Sequence, residues 1–177
     1  RILHVLDHSI PLQSGYPFRT RAILKAQEAL GWETVQVTGP KHNPGEIVAP
    51  VETVDGLAFH RSADTSGLLG KIPGLGQCAV SQMLTRRLVQ VAKVEKPDII
   101  HAHSPGLNGV AAVRAGRKLN IPVVYEIRGF WEDAAVSHGT SAEGGLRYRL
   151  TRAMENWVLK RVDAITCICD GIRSDLV

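Results

Sequence analysis

Lys96-Pro97-Asp98-Ile99-Ile100-His101-Ala102-His103-Ser104-Pro105 is the stretch that decides the fold. Lys96-Pro97 breaks whatever precedes it. Asp98 to Ala102 is a short apolar run that reads as a buried strand. Ser104-Pro105 opens a helix running to about Leu119, with proline favoured in a first turn. Pro122 to Ile127 is a second buried strand. Strand, helix and strand in this order make a parallel crossover unit.

The same rhythm extends outward. Ile2 to Leu6 predicts a first strand. Arg19 to Leu30 predicts a helix, with Ile23, Leu24, Ala26 and Leu30 as apolar positions and Gly31 as its stop. Glu33 to Thr38 predicts a second strand. Val51–Val54 and Leu57–His60 flank Asp55-Gly56, the signature of a type I′ hairpin. Gly39–Pro50 and Arg61–Gly76 read as loops. Val80, Met83, Leu84, Leu88, Val91 and Ala92 mark a long helix. Arg128 to Gly145 reads as a long loop. Leu146, Leu150, Ala153, Met154, Trp157 and Val158 mark an amphipathic helix to Arg161. Ala164 to Ile168 is a last strand, and Asp170 starts a helical pattern that reaches Val177. The expected fold class is α/β: a doubly wound, mainly parallel sheet, Rossmann-like, with helices on both faces. The helical pattern stopping at Val177 predicts either a shortened chain or a first domain separate from a second.

Composition narrows the functional classes. With 177 residues, 44 % of them hydrophobic, the chain can build a core without metal or disulfide staples. Gly (17) and Pro (9) punctuate without forming a low-complexity tract, which excludes collagen and wholesale disorder. A surplus of 21 Lys and Arg over 17 Asp and Glu leaves +4, which suits an anionic ligand or membrane surface without demanding nucleic acid. The three cysteines, Cys78, Cys167 and Cys169, read as buried reduced thiols, as in a cytoplasmic protein. The apolar run after Arg1 is too short for a signal peptide, and no run approaches the roughly 20 residues of a membrane span.

In an open parallel sheet, ligands bind beyond the carboxyl ends of the strands. Asp7 to Tyr16, His101 to Ser104, Glu126 to Asp133 and Asp170-Gly171 all follow strands, so polar and ionisable residues gather at one edge. His101 and His103 share one strand face. They read as a metal pair lacking a clear third ligand, or as core histidines; for His103, beside a helix start, a ligand contact is the reading. Gly-x-Gly-x-x-Gly is absent around Gly15, which argues against a nicotinamide cofactor, although a single glycine still admits a phosphate or sugar to the backbone. Gly67 to Lys71 lacks the spacing and the Ser or Thr of a P-loop. Arg128-Gly129-Phe130-Trp131-Glu132-Asp133 offers a cation, two rings and two carboxylates, the mix a sugar site needs; a loop folded on its own aromatics, with Arg128 paired to Glu132, is the alternative. Arg147, Arg149, Arg152, Lys160 and Arg161 line one helix, either a solvated face or a membrane-contacting one.

Arg1 to Leu6, Ser14-Gly15-Tyr16, Gly31 to Thr38, Lys96 to Ser104, Ile121 to Glu126 and Val162 to Thr166 together resemble the N-terminal domain of a family 4, GT-B type glycosyltransferase. Glu126-Ile127-Arg128-Gly129-Phe130-Trp131-Glu132 is most similar to bacterial members associated with exosortase and exopolysaccharide systems. The resemblance implies two Rossmann-like domains facing a cleft. Residues 1–177 would be the acceptor-side domain, and a C-terminal domain outside this chain would hold the nucleotide-sugar donor. It implies transfer of a sugar from a nucleotide sugar to a saccharide or lipid-linked acceptor hydroxyl, with retention. No metal and no cofactor are implied, and no nucleic-acid partner. The expected place is the cytoplasm, at the inner face of the cell membrane. On the matching positions the resemblance implies Gly15 near the donor phosphate or sugar and His103 against the transferring sugar or acceptor; with the residues read above, the expected site is His103 as the catalytic group and Ser14, Gly15, Tyr16, Arg128 and Glu132 binding substrate. Many relatives place His where Arg128 stands, so this sequence departs from their pattern there. A metal-dependent hydrolase built on His101 and His103, and a non-enzymatic ligand-binding α/β domain, are the alternatives.

Overall fold

A computed structural model describes residues 1–40, 42, 49–62 and 75–176. The strands are β1 (Ile2–Leu6), β2 (Thr34–Thr38), β3 (Val51–Val54), β4 (Leu57–His60), β5 (Ile99–His103), β6 (Val123–Ile127) and β7 (Ala164–Cys167). They form one sheet in the order β3-β4-β2-β1-β5-β6-β7. Only β3 and β4 pair antiparallel, through a turn in which Asp55 (φ 55°) and Gly56 (φ 76°) both take positive φ, as a type I′ turn requires. All other pairings are parallel. Strand order reverses between β1 and β5, the switch point at which such sheets open a crevice.

The helices are α1 (Gly15–Ala29), α2 (Leu75–Glu95), α3 (Gly106–Leu119), α4 (Trp131–Ser137), α5 (Leu146–Leu159) and α6 (Asp170–Leu176). Side chains alternate across each strand, so the two sheet faces carry different chemistry. Leu3, Val5, Val35, Val37, Ile100, Ala102, Val123 and Tyr125 join Leu84, Leu88, Ala111 and Val158 in the main apolar core, beneath α2, α3 and α5. The other face carries His4, Gln36, His103 and Glu126, all buried, beside a small apolar cluster of Leu6, Ile10, Leu24, Leu57 and Phe59. Close packing beneath α3 depends on Gly109, where a Cβ would lie 2.5 Å from Val158 Cγ1 and 3.0 Å from Tyr125 Cε2. Glu155 of α5 accepts the Gly106 N–H at 2.7 Å and the Tyr125 hydroxyl at 2.8 Å, capping the start of α3.

Several sequence expectations change. α1 begins at Gly15, four residues before Arg19, because Pro17 is tolerated in a first turn. The expected loop from Arg128 to Gly145 contains α4, whose seven residues are too few to show a periodic stripe. Cys78 and Cys169 are exposed and Cys167 is only half-buried, so the cysteines are free but do not fill a core. Cys167 ends β7, an edge strand with little laid over it. The apolar stripe of α5 splits: Val158 is buried, whereas Leu146 (76 % exposed) and Leu150 (61 %) face outward. The Gly67–Lys71 stretch lies outside the described residues. Among the described residues, no helix is long and apolar enough to cross a membrane.

Candidate functional site

The carboxyl ends of β1, β5 and β6 meet the start of α1 around one buried carboxylate. Glu126 ends β6 opposite His103, its register partner on β5. Its Oε1 accepts from Arg19 Nε (3.2 Å) and Nη2 (2.8 Å). Its Oε2 accepts from Arg128 Nε at 2.8 Å and from His103 Nδ1–H. Burial alone would raise this carboxyl; the hydrogen bond from His103, with the charge of Arg128 and the hydrogen bond from Arg19, holds it well below the usual carboxylate range. Glu126 is therefore an anion that fixes two cations.

Arg128 is gripped on every side. Its Nη1 donates to Thr20 Oγ1 (2.8 Å) and to the Tyr16 carbonyl (3.2 Å). Its Cζ lies 4.3 Å from the centre of the Tyr16 ring, a cation–π contact. Its backbone N–H donates to Ser104 Oγ at 3.0 Å. Arg128 Nη2 also lies 2.8 Å from His103 Nδ1. One nitrogen cannot donate to Glu126 and accept from Arg128 together; the shorter contact assigns its proton to the Glu126 bond. Tyr16 stacks on His8 with ring centres 4.6 Å apart, and its hydroxyl accepts the Asp7 N–H at 3.2 Å. Burial pushes the phenol above its usual range.

His103 is wholly buried. Burial lowers its pKa to about 3, against the raising effect of Glu126. Its Nε2 lies 2.9 Å from His4 Nδ1, and His4 Nε2 lies 2.9 Å from Gln27 Oε1. The expected reach of this imidazole to a substrate is not what the structure displays: Nδ1 donates to Glu126, and Nε2 faces His4 Nδ1 inside the protein. His101 stands beside it, ring centres 4.3 Å apart.

The hollow in front of this hub has a volume of about 330 Å³, with Gly15, Tyr16, Arg19, Arg128, Phe130 and Trp131 among its walls. Two larger hollows, about 710 and 530 Å³, lie at the opposite edge among turn residues such as Gly31, Lys96 and Asn120. The smaller one sits at the carboxyl edge beside the switch point, where ligand chemistry is expected. Two arginines against one carboxylate leave it a surplus positive charge.

Of the residues singled out in the sequence, Gly15, Tyr16 and Arg128 come together here. A Cβ on Gly15 would meet nothing within 4 Å, so the backbone there is open to an approaching group. Ser14 is exposed nearby, its Oγ 3.2 Å from His8 Nε2. Glu132 turns elsewhere: it lines a separate hollow of about 260 Å³ with Asp133, Tyr148, Arg152 and Glu155. Burial raises its carboxyl, and Oε2 has no hydrogen-bond partner among the described residues. Arg128 pairs with Glu126, not with Glu132. Glu126, Arg19, His4 and Gln27 were missed. A carboxylate inside the apolar run Val123-Val124-Tyr125-Glu126-Ile127 was the available signal, since a buried strand tolerates one only with partners.

The chain matches the family model for the glycosyl transferase 4-like domain over residues 14–177. It belongs to that family. No curated protein sequence matches it closely. Solved structures share the fold of this glycosyl transferase 4-like domain at low identity. Sucrose-phosphate synthase from Thermosynechococcus elongatus covers 93 % of the chain at 16 % identity, with a TM-score of 0.64. MnaA of S. aureus, solved with UDP, covers 93 % at 13 % identity and 0.55. MurG of Acinetobacter baumannii covers 93 % at 15 % identity and 0.53. The domain spans only 41 %, 37 % and 40 % of those chains, respectively. The expected Rossmann-like, GT-B type fold and the family resemblance are both borne out.

Proposed function

We propose that this domain is the acceptor-side half of a glycosyltransferase that moves a sugar from a nucleotide sugar to an acceptor hydroxyl with retention. The observation that carries the reading is the 330 Å³ hollow at the carboxyl edge of the sheet, between the start of α1 and the segment after β6, with its surplus arginine charge. Arg19 and Arg128 suit the charged phosphate side of a donor; the aromatic walls Tyr16, Phe130 and Trp131 suit a sugar ring. Catalysis on this reading is positioning plus stabilisation of the departing phosphate. His103 acts through Glu126 as a positioning residue. A C-terminal domain outside this chain completes the cleft, so residues 1–177 alone transfer nothing. The polysaccharide setting rests on the Glu126–Glu132 resemblance. Exposed Leu146 and Leu150 beside Arg147 and Arg149 support peripheral contact with an anionic membrane face, hence a place at the inner leaflet.

The test is a transfer assay on the full-length protein with a panel of nucleotide sugars. Arg19, 44 % exposed at the side chain, adds little to stability. Arg19→Gln is expected to lower kcat/KM about tenfold without changing the melting temperature. His103→Asn is expected to lower kcat with KM near wild type, because it touches no substrate. The reading fails if no nucleotide sugar is consumed, or if Arg19→Gln transfers normally.

A further inference from the structure

His4 on β1 and His101 on β5 are register partners, and His103 follows two residues on, so all three point to one face of the sheet. Their ring centres lie 5.2, 5.2 and 4.3 Å apart. One ring nitrogen from each falls within 4.8 Å of the others. The sequence shows only the His101–His103 pair; the third imidazole comes from a residue 99 positions before His103.

The outer partners fix which nitrogens carry protons. Gln27 Oε1 accepts from His4 Nε2–H, leaving His4 Nδ1 bare. Glu126 accepts from His103 Nδ1–H, leaving His103 Nε2 bare. These two bare nitrogens face each other at 2.9 Å, lone pair against lone pair. The third, His101 Nε2, is buried with no hydrogen-bond partner among the described residues. A single cation satisfies all three. Amide and carboxylate acceptors behind the imidazoles are the outer shell that histidine–metal sites use to set the tautomer.

We propose that His4, His101 and His103 form a three-imidazole site for a first-row divalent transition ion, Zn²⁺ being the apt probe. Three neutral nitrogens suit zinc better than magnesium or calcium. Ligands on tetrahedral zinc sit ~3.3 Å apart for bonds of ~2.0 Å, so from separations within 4.8 Å the His101 ring must swing inward by up to about 1.5 Å. The fourth position, beside the partly exposed His101, takes water. The ion ties β1 to β5 at the switch point and, through His103, steadies Glu126. Its role is structural: the ion takes no part in the transfer chemistry proposed above, and its uptake is measured without any transfer.

The experiment uses untagged full-length protein stripped with a chelator and titrated with ZnCl₂, with Co²⁺ as a spectroscopic stand-in. Wild type is expected to take up one equivalent, to gain melting temperature with Zn²⁺, and to show the visible bands of tetrahedral Co²⁺. His101→Ala removes a ligand that makes no side-chain hydrogen bond among the described residues, and is expected to weaken binding about a hundredfold or more. Gln27→Leu leaves the three ligands in place and is expected to weaken it about 10–100-fold. Uptake below about half an equivalent by wild type overturns the proposal. So does unchanged affinity in both variants. A rotated Gln27 amide with a proton shared between His4 and His103 is the state that a failed titration would reveal.

Discussion

Removing the Glu126 carboxylate is the sharpest test of the site's architecture. The side chain is 5 % exposed, and the Arg128 side chain that it neutralises is 6 % exposed. Glu126→Ala leaves that guanidinium buried with neutral partners, Thr20, the Tyr16 carbonyl, the Tyr16 ring and the His103 imidazole. Breaking a buried pair from one side costs about 3–5 kcal/mol, because the remaining charge has lost both water and partner. For a domain of this size each kcal/mol shifts the midpoint by roughly 2–4 °C, so the transition should fall by about 6–20 °C. Calorimetry or circular dichroism on the protein reads this directly. Glu126→Gln combined with Arg128→Met removes both charges, and should recover at least about half of the loss. A Glu126→Ala midpoint within about 2 °C of wild type refutes the reasoning. So does a double variant no more stable than the single one.

Two further outcomes are expected. Gly15→Val has open space for its side chain, so the melting temperature should hold while turnover by the full-length protein falls at least about tenfold; unchanged kinetics would reduce that backbone to a plain turn. Leu146→Ser with Leu150→Ser should lessen co-sedimentation with vesicles rich in anionic lipid at moderate salt, and equal binding by wild type and variant would remove the membrane contact.

The fold was legible because its signals are local. Short β-branched runs, Gly31 after α1, Asn120 before Pro122 and the Asp55-Gly56 turn each act within a few residues. The parallel order follows from helices too long to be hairpin loops. What escaped was α4, whose roughly two turns begin with Trp131 and carry their helix signal only in Glu132 and Asp133. The outward Leu146 and Leu150 also escaped, since helical spacing says that residues share a face without saying what covers it.

The site was half legible, and the division has a physical cause. Position at the carboxyl edge follows from topology, so Gly15, Tyr16 and Arg128 were found. Pairing does not follow, because it joins residues about a hundred positions apart: Arg19 and Glu126 are separated by 107, His4 and His103 by 99. The polar face of the sheet explains why such pairings must exist. His4, Gln36, His103 and Glu126 occupy alternate strand positions where an ordinary parallel sheet would carry Val or Ile. Each polar atom sealed there costs free energy until a partner is found. α1 supplies those partners, Arg19, Thr20 and Gln27, from one helix face. The apolar contribution forgone on this side is thus exchanged for a fixed constellation of charge. That exchange is characteristic of a site rather than a core, and it places the arginines rigidly before any ligand arrives.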